Sequence, residues 1–276
     1  ESSGLEFASK KSAAHTCGHD SHTAMLLGAA RILKSMEEEL QGTVKLMFQP
    51  GEELGYGAGL MVKAGILENP KVDAAMAIHI MSDMESGKVE YSKGIMSAAM
   101  DTYMLTIKGK GGHSSMPHQA IDPNMIMSQI YTNLNLLPGR EIDPKERIAL
   151  TIGKASGGTA ANIIPDNASM QIGIRSFNRN VQEHMEKRVP EMIDHIVKAW
   201  RGDYSYIRFH TPSTFTDTNM MEAVIPFVEE VVGAENVAEA SEPMGGSEDF
   251  GYITQEVPGV FMVLGAGKPG AYPMHN

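Results

Sequence analysis

Apolar positions recur along this 276-residue chain with two periods, one helical and one alternating, and the switches between them outline its elements. Met25, Leu26, Ala29, Ile32, Leu33 and Met36 return at helical spacing and predict a helix over 21–36, with Asp20 or Ser21 as its N-cap. Residues 43–49 (TVKLMFQ) are short, β-rich and apolar, which predicts a buried strand closed by Pro50-Gly51. A helix is expected over 58–67 and a second buried strand over 74–80 (AAMAIHI). Strand, helix and strand at this pitch point to a βαβ unit in a parallel sheet covered by helices.

The pattern changes near Ala99. Residues 102–108 (TYMLTIK) alternate as a half-exposed strand does, and a helix over 122–137 carries Pro123 in its first turn. Strands at 148–153 and 168–175, an amphipathic helix at 181–200 and a strand at 204–210 complete a β-α-β-β-α-β order. That order predicts a small antiparallel sheet backed by two helices. Beyond Thr211 the first style returns, with helices at 219–232 and 248–255 and a strand at 260–264. The fold class is therefore α/β: a discontinuous domain of 1–98 plus 212–276, interrupted by an α+β domain over 99–211.

Composition narrows the partners. A formal net charge of -11 argues against nucleic acid or an anionic membrane as the main partner. No apolar run reaches the ~18–20 residues that span a bilayer. A single cysteine excludes an internal disulfide framework, and a reducing cytoplasm is the expected compartment.

That cysteine lies in His15-Thr-Cys17-Gly-His19-Asp20-Ser-His22, where four metal-capable side chains precede a helix. Such a loop either reaches one ion or a pair, or merely caps the helix around a buried thiol. Gln49-Pro-Gly-Glu52-Glu53 leaves a strand end, the edge where open α/β sheets bind ligands. Paired acids there are either a solvated turn or a ligand beside a proton-transfer group. His79 on an apolar strand reads as a core histidine or as a ligand. His275, after KPGAYPM, says almost nothing alone.

In the inserted domain, Gly109–His118 (GKGGHSSMPH) is a hairpin turn or a substrate loop, and it lacks the spacing of a phosphate-binding P-loop. The run GGTAANIIP is rigid enough to aim Asn162 at a polar substrate, or only links two strands. Arg175 at a strand end could grip a carboxylate or sit in a surface ion pair. MGGSEDF is good helix-start chemistry. No G-x-S-x-G elbow competes.

In chain order these segments resemble the metal-dependent aminoacylase and carboxypeptidase family, in its amidohydrolase branch with hippurate and auxin-conjugate hydrolases. The matching strings are HTCGHDSHTAMLLGAA, GTVKLMFQPGEE, AIHI, KGKGGHSSMPH, GGTAANIIPD, MGGSEDF and MHN. The resemblance implies a three-layer, mixed-sheet catalytic domain and a ferredoxin-like lid that also dimerises. It implies two divalent ions (Zn, Mn, Co or Ni) on Cys17, His19, Glu53, His79 and His275, with Cys17 bridging. It makes Glu52 the general base and His113 the group that steadies the oxyanion, often in the partner subunit's site. Asn162, Arg175 and His118 become substrate contacts, and Asp20 is expected to orient a ligand from behind. The implied reaction is hydrolysis of the amide bond of N-acyl amino acids, or short peptides, by metal-activated water. The alternatives are a dipeptidase or carboxypeptidase on the same centre, and a non-catalytic remnant that binds ligand or dimerises. The last arises because the resemblance implies a chain truncated at both ends.

Overall fold

The computed structural model describes residues 6, 8–11, 13–268, 270, 274 and 275. It divides into two compact units. Unit 1 comprises Glu1–Met96, Thr214–Met244 and Asp249–Asn276, and unit 2 comprises Ser97–Ser213 with Gly245–Glu248. The expected boundaries thus shift by two residues at each crossing, and the MGGSEDF turn is shared rather than belonging to the first domain. Backbone pairing explains the transfer: Ala98 N–H donates to Gly246 O at 3.0 Å, and Arg175 Nη1 donates to Gly245 O at 3.1 Å.

In unit 1, α1 (His19–Ser35) and α2 (Gly57–Lys63) precede β1 (Ala75–Glu85), β2 (Val89–Tyr91) and the short β3 (Gly94–Ile95). The predicted strand at 43–49 is not formed: these residues join no ladder with any described neighbour. What fixes this stretch is Lys45, whose ammonium donates to the carbonyls of Ile66, Glu68 and Pro70 at 2.7, 2.7 and 2.9 Å. A strand is a paired structure, and β propensity without a ladder partner does not make one. The N-cap of α1 is also corrected. Helix φ/ψ begins at His19, Gly18 is the cap, and Asp20 lies inside the first turn.

Unit 2 contains β4 (Ala99–Lys108), β5 (Gly112–His113), α3 (Pro123–Glu141), β6 (Ile148–Gly157), β7 (Ile163–Ile164), β8 (Asn167–Ser176), α4 (Arg179–Ala199) and β9 (Asp203–Thr211). Its main sheet has the antiparallel order β6-β8-β4-β9. Alternate residues of two strands, Tyr103, Leu105 and Ile107 with Met170, Ile172 and Ile174, point to one face. There they meet Ile126, Ile130 and Leu134 of α3 and Met185, Val189 and Ile193 of α4, each four residues apart. Asp122 caps α3 by accepting from the amides of Asn124 and Met125 ahead of Pro123, and Asn178 caps α4.

The chain then completes unit 1 with β10 (Phe215–Thr216), α5 (Thr218–Val232), β11 (Val237–Glu239), α6 (Gly251–Thr254) and β12 (Gly259–Gly267). The sheet is mixed, in the order β1-β12-β2-β11, with β1 parallel to β12. β12 is covered on both faces, as its unbroken GVFMVL run requires. Phe261 and Val263 pack with Ala58 of α2 and Ile253 of α6, whereas Val260 and Met262 pack with Met221 of α5. β1 lies at the sheet edge.

One buried charge anchors unit 2. Asp101, 2% exposed, accepts from Arg208 Nε at 2.8 Å, with His210 Nδ1 at 3.0 Å and Gln182 Nε2 at 3.4 Å. Burial works to raise its pKa, but the His210 hydrogen bond and the Arg208 charge outweigh it and hold the carboxylate below its ordinary range. We expect Arg208→Met to cost unit 2 about 3 kcal/mol, because it leaves a buried carboxylate under-compensated; amide exchange in β4 and β9 measures it. The folded pKa is depressed, so this stabilisation is complete above the unfolded carboxylate value near ~4 and drains away as pH falls through the folded one. Asp101→Asn should flatten that acid slope in the same exchange measurement.

Candidate metal centre

The site grows from the entry to α1. Gly18 has φ +79°, a left-handed conformation that glycine adopts without strain. A Cβ there would also lie 2.6 Å from Cδ1 of Ile80, so the turn between Cys17 and His19 is pressed onto β1. This places Cys17 Sγ 3.5 Å from His79 Nε2, with both residues buried. Behind it, His79 Nδ1 donates to Ile80 O at 2.6 Å, which directs the Nε2 lone pair toward the thiol.

The acidic side is a tight turn. Gly51 and Gly55, at φ 72° and 69°, bracket the 3-10 turn Glu52–Leu54. Glu52 Oε2 lies 3.4 Å from His19 Nε2, and Glu53 Oε1 lies 3.9 Å from His275 Nε2. His275 is tied back by its own amide, which donates to Thr16 O at 3.1 Å.

The donor atoms of Cys17, His19 and His79 all lie within 4.8 Å of one another, and so do those of Cys17, Glu53 and His275. Cys17 belongs to both groups. His19 Nε2 is buried and makes no hydrogen bond, an orphan of the kind a cation satisfies. Sulfur, imidazole and carboxylate donors suit a borderline divalent ion. The residues present therefore fit the two-ion expectation.

Burial dominates the electrostatics. It lowers the His79 pKa, helped by the charges of His19 and His275 and opposed by the Ile80 hydrogen bond. It brings His22 down to about 4, aided by His79 and His19. It pushes Glu52 up to about 7, with Asp249 and Glu53 adding repulsion and His275 opposing.

All five expected ligands and Glu52 thus converge. Asp20 does not join them: it is exposed, and its carboxylate accepts from the Ser21 amide at 2.9 Å. Starting the helix two residues early turned it away. Two other residues support the centre. His22 Nε2 accepts from the Ile80 amide at 3.0 Å, and its ring centroid lies 4.4 Å from that of His79. Asp249, with no exposed surface, accepts from Gln49 Nε2 at 2.5 Å and from the Ala58 amide at 2.9 Å. It ties the start of α2 to Gln49, in the segment that leads into Glu52. His22 was visible in the histidine cluster and Asp249 in MGGSEDF, but nothing local marked either as a support.

In unit 2, β5 pairs with β7, matching His113 with Ile163, and the Ser114 amide donates to Asn162 O at 3.1 Å. His113 and Asn162 therefore share one exposed loop cluster, and His118 lies just beyond on the turn Pro117–Gln119. Arg175 is not among them. It sits near the far end of β8, eight residues beyond Asn167, or about 26 Å of strand.

With this geometry, the model of peptidase family M20/M25/M40 matches residues 1–276. The chain belongs to that family. This M20 chain is 38% identical over 266 residues to IAA-amino acid hydrolase ILR1-like 4 of Arabidopsis thaliana, covering 94% of the chain and 60% of the relative. It is 38% identical over 218 residues to an N-acyl-L-amino acid amidohydrolase of Geobacillus stearothermophilus, covering 75% of the chain and 57% of the relative. Among solved structures, a candidate aminohydrolase from methicillin-resistant Staphylococcus aureus superposes with TM-score 0.87 at 31% identity, over 99% of the M20 chain and 71% of the other. A dinuclear metal-binding M20 peptidase from Bacillus subtilis does so with TM-score 0.76 at 28% identity, over 99% and 69%. The mixed α/β fold is thus that of M20 structures. The M20 chain spans about 60% of the length of the curated relatives it matches first.

Asp249→Ala should destabilise unit 1 by about 2 kcal/mol, because it strands a buried amide and the Gln49 side chain. The Ala58 amide should lose exchange protection first, and unchanged protection there would refute the anchoring role.

Proposed function

We propose that this chain is the core of a metal-dependent amidohydrolase that cleaves the amide bond of N-acyl amino acids. The observation that carries the reading is the sharing of Cys17 between two donor groups, with Glu52 standing in a third group beside His19 and Glu53. Divalent ions bound there would polarise the amide carbonyl and make water nucleophilic near neutral pH. Cys17, His19 and His79 would hold one, and Cys17, Glu53 and His275 the other, with the sulfur held as thiolate. Zn, Mn, Co and Ni all accept such a set.

Glu52 acts as the general base: it removes a proton from the attacking water and returns it to the departing amine nitrogen. Its place beside His19, outside both Cys17 groups, supports that division of labour with Glu53. The substrate class follows the Arabidopsis and Geobacillus relatives, whose names are IAA-amino acid hydrolase and N-acyl-L-amino acid amidohydrolase.

Unit 2 is assigned as the lid. His113 would donate to the oxyanion as charge develops, Asn162 and His118 would contact the polar part of the substrate, and Arg175 would grip its carboxylate. Because Arg175 lies far along β8 from the His113 loop, one copy of unit 2 cannot offer both to a single small molecule. That separation favours a homodimer in which each subunit lends His113 to the other.

Glu52→Gln should keep about two ions per chain by elemental analysis while lowering kcat on N-acyl amino acids about a thousandfold. Cys17→Ser should release both ions. Loss of metal from Glu52→Gln would exchange the roles of Glu52 and Glu53, and a metal-free wild-type chain would refute the hydrolase itself.

A further inference from the structure

Cys17–His22 holds two metal-capable side chains that the proposed reaction leaves unused, the exposed Asp20 and the half-buried His22, and His22 is the one that meets β1. It stands three residues after His19 on the first turn of α1, on the same helix face. It belongs to none of the donor groups among the described residues. The Ile80 amide donates to its Nε2 at 3.0 Å, so that nitrogen is an acceptor and the proton of the neutral ring sits on Nδ1. The carbonyl of the same residue accepts from His79 Nδ1 at 2.6 Å. Ile80 is thus held at both ends of its backbone, by one imidazole at its N–H and another at its C=O.

Among the described residues β1 pairs only with β12, at one end of its sheet. A backbone N–H on an open edge is free to shift unless something accepts from it. The His22 ring does so and also lies edge-on against the His79 ring, with centroids 4.4 Å apart at 69°. Gly18 adds a third restraint, since the Ile80 side chain fills the space where a Cβ at position 18 would stand.

We propose that His22 is a positioning residue: it clamps the Ile80 backbone, and through that carbonyl fixes the tautomer and aim of the His79 imidazole at the metal centre. This rests on His79 being a ligand, as assigned above. Its role is as an acceptor at one fixed point rather than as a donor to metal or as bulk. The side-chain oxygen of glutamine reaches about where Nε2 stands, that of asparagine stops at the Nδ1 position, and phenylalanine keeps only the ring.

The test is Co(II) titration of the full chain and its variants, read by visible spectroscopy, with amide exchange at Ile80 in the metal-free protein. His22→Phe and His22→Asn should weaken Co(II) binding about 10–100-fold, alter the thiolate-to-cobalt absorption, and expose the Ile80 amide to exchange. His22→Gln should restore affinity, spectrum and protection. Unchanged binding in His22→Phe, or equal behaviour of the Asn and Gln variants, overturns the clamp and leaves the hydrolase reading standing. A wild-type chain that takes up no Co(II) overturns both together.

Discussion

The centre depends on a left-handed glycine lying against a strand. Gly18 reverses the chain at φ +79° and leaves no room for a Cβ beside Ile80, so the entry to α1 and the edge of β1 sit at a spacing that glycine alone permits. Cys17 and His19 flank the glycine on one element, and His79 precedes Ile80 on the other. Any side chain at position 18 would strain the left-handed turn and force the Ile80 side chain to move.

Two buried polar clusters show opposite design. In unit 2, Asp101 meets a guanidinium, an imidazole and an amide, and its charged form wins despite burial. That network is complete in itself. In unit 1, burial disfavours the charged forms of His22, His79 and Glu52, and His19 Nε2 has no hydrogen-bond partner. Incomplete satisfaction of this kind costs stability, and proteins retain it where a ligand completes it.

Much of this was legible in the residues. The helical stripes of α3 and α4 and the alternation in β4 and β8 gave the unit 2 sheet because each element buries one face, so its period survives in sequence. The unbroken apolar run of β12 marked a strand covered on both faces. The metal-type residues were visible because their chemistry is rare. Errors arose where a partner decides the outcome. Residues 43–49 have strand composition but no ladder among the described residues, and Asp20 has a capping side chain but lies two residues past the cap. His22 and Asp249 were hidden for the same reason: what they do is set by Ile80, Gln49 and Ala58, which only the fold brings near. The inclusion of Gly245–Glu248 in unit 2 was equally invisible, since it rests on hydrogen bonds from the Ala98 amide and the Arg175 guanidinium, both distant in sequence.

The direction of the unit 1 shifts bears on what the cluster is for. A core that needed only cohesion would fill the space around Cys17 with apolar side chains, because burying groups that must pair is seldom the more stable choice. Here several imidazoles crowd one thiol, and burial, with the charge of His19, makes His22 and His79 harder to protonate. A neutral imidazole nitrogen is already in the form that binds a cation, so no proton has to be displaced from it. Desolvation that would be a defect in a structural cluster would thus prepare His79 in advance for the proposed metal. The backbone of Ile80 then decides which nitrogen of His79 faces the sulfur, and the fold settles that before any ion arrives.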